Sequence, residues 1–142
     1  MSTENQILLT GERQVEENVA AGTISPGMLI ELESADKVQA HSSAGGVGEK
    51  AFAVEDALQG NTVDDDYSAD DLVSYVIAHP GDQVNAILKA GETAVIGSKL
   101  ISGGDGTLTV YSASGEVVAV ALEALNLSGQ GAVATRIKTR IV

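Results

Sequence analysis

The sequence predicts an all-β protein, a small β-barrel or β-sandwich with an extended N-terminal arm. Three observations lead to this fold class. From Ile24 onward, short apolar runs alternate with clusters of Gly, Asp, Asn and Ser at regular spacing, as in barrels and sandwiches. Both prolines precede a glycine, in Ser25-Pro26-Gly27-Met28 and His79-Pro80-Gly81-Asp82. Proline presets φ at the second turn position and glycine accepts positive φ at the third, so each predicts a type II turn. No run carries the broad apolar stripe of a long amphipathic helix.

Taken in order, residues 1–23 are polar and carry little alternation. Val15 and Val19 stand four apart, the spacing of a helical turn, but two apolar residues cannot bury a helix face. A free arm over 1–23 and a β domain over 24–142 are therefore expected. Within the domain, strands are predicted at Met28–Glu33, Lys37–His41, Ala51–Glu55, Leu72–His79 and Gln83–Lys89. Further strands follow at Ala94–Leu100, Thr107–Tyr111, Glu116–Leu125 and Ala132–Val142. Val117–Leu125 is rich in Ala and Leu, yet Val118, Val120 and Leu122 alternate with Ala119 and Ala121, which favours a buried strand. Ser102-Gly103-Gly104-Asp105-Gly106 reads as a hairpin loop, and Ser114-Gly115 as another turn.

Composition narrows what such a domain does. The 142 residues suffice for one domain with a continuous core. Hydrophobic residues make up 44% but aromatics only 3%, so Val, Ile, Leu and Ala must build that core around Phe52 and three tyrosines. Without cysteine there are no disulfides, thiolate nucleophiles or cysteine-based metal sites. No basic patch and apolar run suggest a signal peptide, and no stretch nears the ~20 apolar residues of a membrane span. A protein made and used in solution is expected.

The net charge of −12 argues against nucleic acid and anionic membranes as partners, since both need clustered cations. The one basic cluster, Arg136, Lys138 and Arg140, has the spacing of one strand face. It reads as a solvated face or as a docking stripe for an acidic partner. Sixteen of the twenty acids lie at or before Asp82, so one end of the fold should be strongly negative. In any self-assembly that end should point toward solvent, because like charges repel.

No catalytic constellation emerges. Asp64, Asp65, Asp66, Asp70 and Asp71 lack the offsets and closing Glu of a calcium loop, so a solvated acidic loop is favoured over a weak cation site. His41 and His79 have no Cys or His at metal-ligand spacing and read as structural. There is no Gly-x-Ser-x-Gly elbow, and Gly45-Gly46-Val47-Gly48 lacks the Gly-Lys-Ser/Thr ending of a phosphate loop. No catalytic residue, cofactor or metal is predicted, and no enzyme activity. The run from Ala90 to Leu100 is similar in rhythm to lipoyl and biotinyl carrier domains. Lys89 lies outside the context of their modified-lysine tip, so the rhythm reads as strand, glycine turn and strand.

Over Ser25 to Val142 the chain resembles the capsid decoration, or cement, proteins of tailed bacteriophages. The resemblance rests on the order of elements. Pro26-Gly27-Met28-Leu29-Ile30 opens the domain, followed by Gly48-Glu49-Lys50-Ala51-Phe52-Ala53-Val54-Glu55 and the acidic loop with Tyr67. Next come Tyr75-Val76-Ile77-Ala78-His79-Pro80-Gly81-Asp82-Gln83-Val84, the hairpin ending Asp105-Gly106-Thr107-Leu108, and Gly115-Glu116-Val117-Val118-Ala119-Val120-Ala121-Leu122-Glu123-Ala124. It implies a protein synthesised in the host cytoplasm that sits on the outer capsid surface. There it would act as a homotrimer at three-fold and quasi-three-fold positions, clamping the major capsid protein. On that expectation Glu12, Arg13, Gln14, Val15 and Val19 of the arm contact the capsid or a neighbouring subunit. A head-fibre base or tail-tube subunit is the alternative within the virion, and a carrier domain the alternative outside it.

Overall fold

Successive side chains of a strand point to opposite faces, and here the strands build two adjoining barrels around two cores. The computed structural model describes residues 5–12, 14–46 and 48–142. Its strands are β1 (Leu8–Thr10), β2 (Val15–Val19), β3 (Leu29–Glu33), β4 (Lys37–Ala40), β5 (Ala51–Ala53), β6 (Leu72–Ile77) and β7 (Gln83–Leu88). They continue as β8 (Thr93–Ala94), β9 (Lys99–Ser102), β10 (Leu108–Val110), β11 (Val117–Ala121), β12 (Leu125–Asn126) and β13 (Thr135–Ile141). The only helical element among the described residues is a single 3₁₀ turn, Ala57–Gln59. No helix there is long and apolar enough to cross a membrane.

The larger barrel runs β7-β10-β9-β11-β13 and closes through the β13–β7 ladder, from Thr135↔Leu88 to Arg140↔Gln83. Its pairs are antiparallel except β10 with β7, and β1 adds to β7 beside the ring. Val84, Ala86, Leu88, Leu100, Leu108, Ala119, Ala121, Ile137 and Ile141 supply its buried aliphatic core. A five-strand barrel has a narrow interior, and the barrel's own strands fill it with small and branched aliphatic side chains. β8 and β12 pair as a short ribbon alongside.

The second sheet, β2-β6-β5-β3-β4, is antiparallel throughout. It curls until Ala20, just past β2, bridges Val38 of β4, and the Ala21 amide donates to the Val38 carbonyl at 2.8 Å. Inside lie Ala20, Ile24, Ile30, Val38, Ala51, Ala53, Tyr67, Val73 and Tyr75. The intervening residues of the same strands, Leu29, Phe52 and Val76, face the other way and join the larger core with Val54 and Ala78. This explains why Ala51-Phe52-Ala53-Val54 is apolar without interruption: the strand is buried on both faces.

Both proline turns form as expected. The Met28 amide donates to the Ser25 carbonyl at 3.1 Å and the Asp82 amide to the His79 carbonyl at 3.0 Å, with Gly27 and Gly81 each at φ +99°. The fold is a barrel and not a sandwich, and three expectations need correcting. The strand expected over Glu116–Leu125 ends at Ala121, and Leu125 opens β12 in a separate ribbon. Ala94–Leu100 is not one strand: a turn at Val95–Ser98, with Gly97 at φ +91°, separates β8 from β9. The extended arm is also replaced, because residues 8–10 and 15–19 are β1 and β2. A spacing of four suits a strand as well as a helix, since four is even, and β6 offers β2 a full ladder from Val15↔Val76 to Val19↔Leu72.

Candidate interaction surface

The two barrels differ in charge before any geometry is considered. Residues 12–77 hold fourteen acids against three bases, a formal −11, whereas residues 78–142 hold five of each. The expected negative end is therefore the smaller barrel.

On that barrel the chain after β5 makes a tight 3₁₀ turn. The Gln59 and Asn61 amides donate to the Asp56 carbonyl and the Gly60 amide to that of Ala57, and Gly60 leaves the turn at φ +78°. The turn projects Leu58, which is 96% exposed, over the outer face of β2 and β6. Beneath it runs a groove of about 560 Å³, continuous through Glu17, Asp56, Leu58 and Ser74 with a second hollow of about 340 Å³. Asp66, Asp71 and Leu72 line one end of the groove and Val15 the other. Leu72 and Val15 are also well exposed, so this face combines carboxylates with uncovered aliphatic groups.

The larger barrel, neutral overall, carries a local cationic row. Register places Lys99 of β9, Val120 of β11 and Arg140 of β13 side by side on its outer face. Lys99 and Arg140 are exposed, and Ile101 and Val117 lie half-buried on the same face. The predicted stripe is thus divided. Arg136 turns toward the smaller barrel, donating to Asp64 at 3.0 Å, to the Pro26 carbonyl at 3.3 Å and to the Val63 carbonyl. The Lys138 amide donates to Glu123 at 3.0 Å, and Arg140 alone of the three is exposed.

Of the residues predicted to make contacts, Glu12 is exposed on the β1–β2 connection, and the Gln14 carbonyl accepts the Ile77 amide at 3.2 Å. Val15 lines the groove and Val19 is half-buried on β2. Arg13, like Val47 of the glycine-rich stretch, lies outside the described residues. Sequence reasoning missed Glu17, Asp56, Leu58 and Leu72. The available signal was Leu58, a lone aliphatic residue in the polar stretch Asp56-Ala57-Leu58-Gln59-Gly60.

The residues weighed for chemistry take separate structural partners. His41 is buried, with Nδ1 2.7 Å from Ser102 Oγ and Nε2 3.6 Å from Glu31, so it stitches the smaller barrel to β9. His79 lies 3.7 Å from Asp82 at the proline turn. The aspartates of the acidic loop diverge. Asp64 pairs with Arg136 and Asp70 with Lys37, while Asp65 accepts the Thr62 amide and Asp71 the Ser68 amide. Among the described residues no three metal-ligating side chains gather. Lys89 is held at the end of β7, 3.4 Å from the Gly103 carbonyl and 3.5 Å from Asp105, not at a hairpin tip.

Four titratable groups respond to packing. Burial pushes the Tyr67 and Tyr75 phenols up to about 12, and nearby carboxylates reinforce this. Tyr67 donates to the Val54 carbonyl at 2.6 Å, and Tyr75 to Glu16 at 3.2 Å. Burial opposes ionisation of Asp105 and Glu31, yet both end below the usual carboxylate range. Thr107 and Lys89 hold Asp105 ionised, and Ser42, Gln39 and His41 hold Glu31.

These features define an all-β protein of two fused small barrels, one with an acidic groove and the other, neutral overall, with a cationic row on its outer face. No protein-family model matches the chain, and no curated protein matches it. A solved structure does: the head fibre gp8.5 N base of bacteriophage phi29, with a TM-score of 0.61 and 15% identity. The match covers 92% of this chain and 95% of that one, which necessarily takes in both barrels. At that identity the likeness is one of fold.

Proposed function

We propose that this chain is a structural protein of a phage head. It binds the outer surface of the capsid as a homotrimer at three-fold and quasi-three-fold positions and stabilises the shell as a decoration protein. The observation that carries the reading is the fold likeness across both barrels to a protein described as the base of a phage head fibre. The order of elements that resembles decoration proteins supports it independently, and so does a surface built for contact. The partner is the major capsid protein. Many copies on a symmetric shell act together, so modest individual contacts add up to firm attachment.

The same neighbour, itself a head fibre base, favours a second reading, in which the chain is the base of a fibre and anchors a projection. One experiment separates the two. Heads lacking the protein are incubated with the purified chain and imaged by electron microscopy, then heated to release DNA. Decoration predicts protrusions over the facets and a raised temperature of DNA release. A fibre base predicts attachment at few sites with no gain in shell stability, and absence of any binding rejects both.

A further inference from the structure

A ring of identical subunits needs a heterologous interface, in which one patch of a copy meets a different patch of the next. We propose that the groove beneath Leu58 on the smaller barrel receives the Lys99–Val120–Arg140 row of a second copy's larger barrel. The proposal rests on the homotrimer reading above and names the surfaces that would make the ring.

The two patches complement each other in charge and in apolar character. Among the described residues, Glu17, Asp56 and Asp66 of the groove have no cation within ion-pair distance, and neither Lys99 nor Arg140 has a carboxylate within it. Each patch adds exposed or half-buried aliphatic surface, Leu58, Leu72 and Val15 facing Val120, Val117 and Ile101. Contiguous apolar surface rimmed by charge marks contact sites. A chain of net charge −12 that self-associates must bring unlike charges together or be driven apart. Pairing the −11 segment of one copy with the neutral, cation-bearing barrel of the next does this, while pairing like barrels would not.

The test is sedimentation of the full chain with charge-reversed faces, each variant checked for folding by circular dichroism. Lys99→Glu with Arg140→Glu, and separately Glu17→Lys with Asp56→Lys, should each weaken association at least tenfold. The quadruple variant, with both faces reversed, should recover it. The chain has no cysteine, which permits a second check. Glu17→Cys protein mixed with Lys99→Cys protein should form a disulfide between copies under mild oxidation. The proposal is overturned if either pair leaves association unchanged, if the quadruple variant does not recover, or if no mixed disulfide forms. A monomeric wild-type chain also overturns it, as does a groove variant that stays trimeric but loses head binding, which would give the groove to a cationic segment of the shell protein. Heads that ignore a trimer following the charge-swap pattern would reject the head reading and leave this interface standing.

Discussion

The larger barrel closes on itself and carries equal numbers of acids and bases, while the smaller one closes only at the Ala20–Val38 bridge and carries nearly all the net charge. Like charges on one small body oppose its compaction, and a core of nine buried residues offsets little of that. What the smaller barrel lacks it draws from its neighbour: alternate side chains of β3, β5 and β6 are buried in the larger core. The contrast teaches that the acidic surface depends on the neutral barrel for its stability. One body can then offer strong charge to a partner because the other supplies the packing.

The sharpest way to break this comparison is Phe52→Ala. Phe52 is the chain's only phenylalanine, fully buried, carried on a strand of the smaller barrel but packed in the larger core. Its truncation should cost about 3–5 kcal/mol. Calorimetry should show one transition, shifted down for both barrels together. Two separate transitions, with the larger barrel unshifted, would show that the cores are independent.

A smaller effect compares one turn in two settings. Gly27 and Gly81 share φ +99°, but a Cβ on Gly27 would lie 2.9 Å from the Asn85 carbonyl oxygen and 3.2 Å from Ile87, whereas one on Gly81 meets nothing within 4 Å. Gly81→Ala should cost only the left-handed backbone strain, about 1–2 kcal/mol. Gly27→Ala should cost that and about 1 kcal/mol more, because the turn is pressed against β7. Urea unfolding of both variants measures the difference, and equal costs would mean the turn does not seal the barrels together.

These turns were legible in the sequence because Pro-Gly dictates its own geometry whatever surrounds it. The strands from β3 to β7 were legible for a similar reason, since their apolar residues alternate or run unbroken. β1 and β2 were not. Val15-Glu16-Glu17-Asn18-Val19 is polar at three of five positions, and only the ladder offered by β6, sixty residues away, makes it a strand. The groove was hidden for the same reason. Val15, Asp56, Leu58 and Leu72 come together only when β2 pairs with β6 and the 3₁₀ turn folds over them. The cationic stripe was half legible: its spacing was read correctly, but nothing in the sequence announced that Arg136 would turn away to Asp64.

That turn yields the next prediction. Arg136 is the polar tie from the last strand of the larger barrel to the loop of the smaller one, through Asp64 and the Val63 and Pro26 carbonyls. Arg136→Lys keeps the charge but loses the planar fork that reaches several acceptors at once. A loss of about 1 kcal/mol in urea unfolding is expected, little changed by salt, because the carbonyl contacts carry most of it. A loss abolished by salt would instead assign the tie to the exposed Asp64 pair.

The gentlest probe of the comparison is alkali. Tyr67 and Tyr75 both pack in the smaller core, and burial raises their phenols from 10 to about 12. A raised pKa means the fold prefers the protonated form. That contribution is complete below pH 10, the unfolded value, and is lost as pH climbs through about 12. Phenolate absorbance and far-ultraviolet circular dichroism followed together should therefore show β structure failing between pH 10 and 12 as the two phenols ionise. Tyr67→Phe forfeits the hydrogen bond to Val54 and should be about 1 kcal/mol less stable at neutral pH. It should then lose less than the wild type across the alkaline window, so the two stability curves converge. Curves that stay parallel to pH 12 would mean that Tyr67 does not hold the smaller barrel closed.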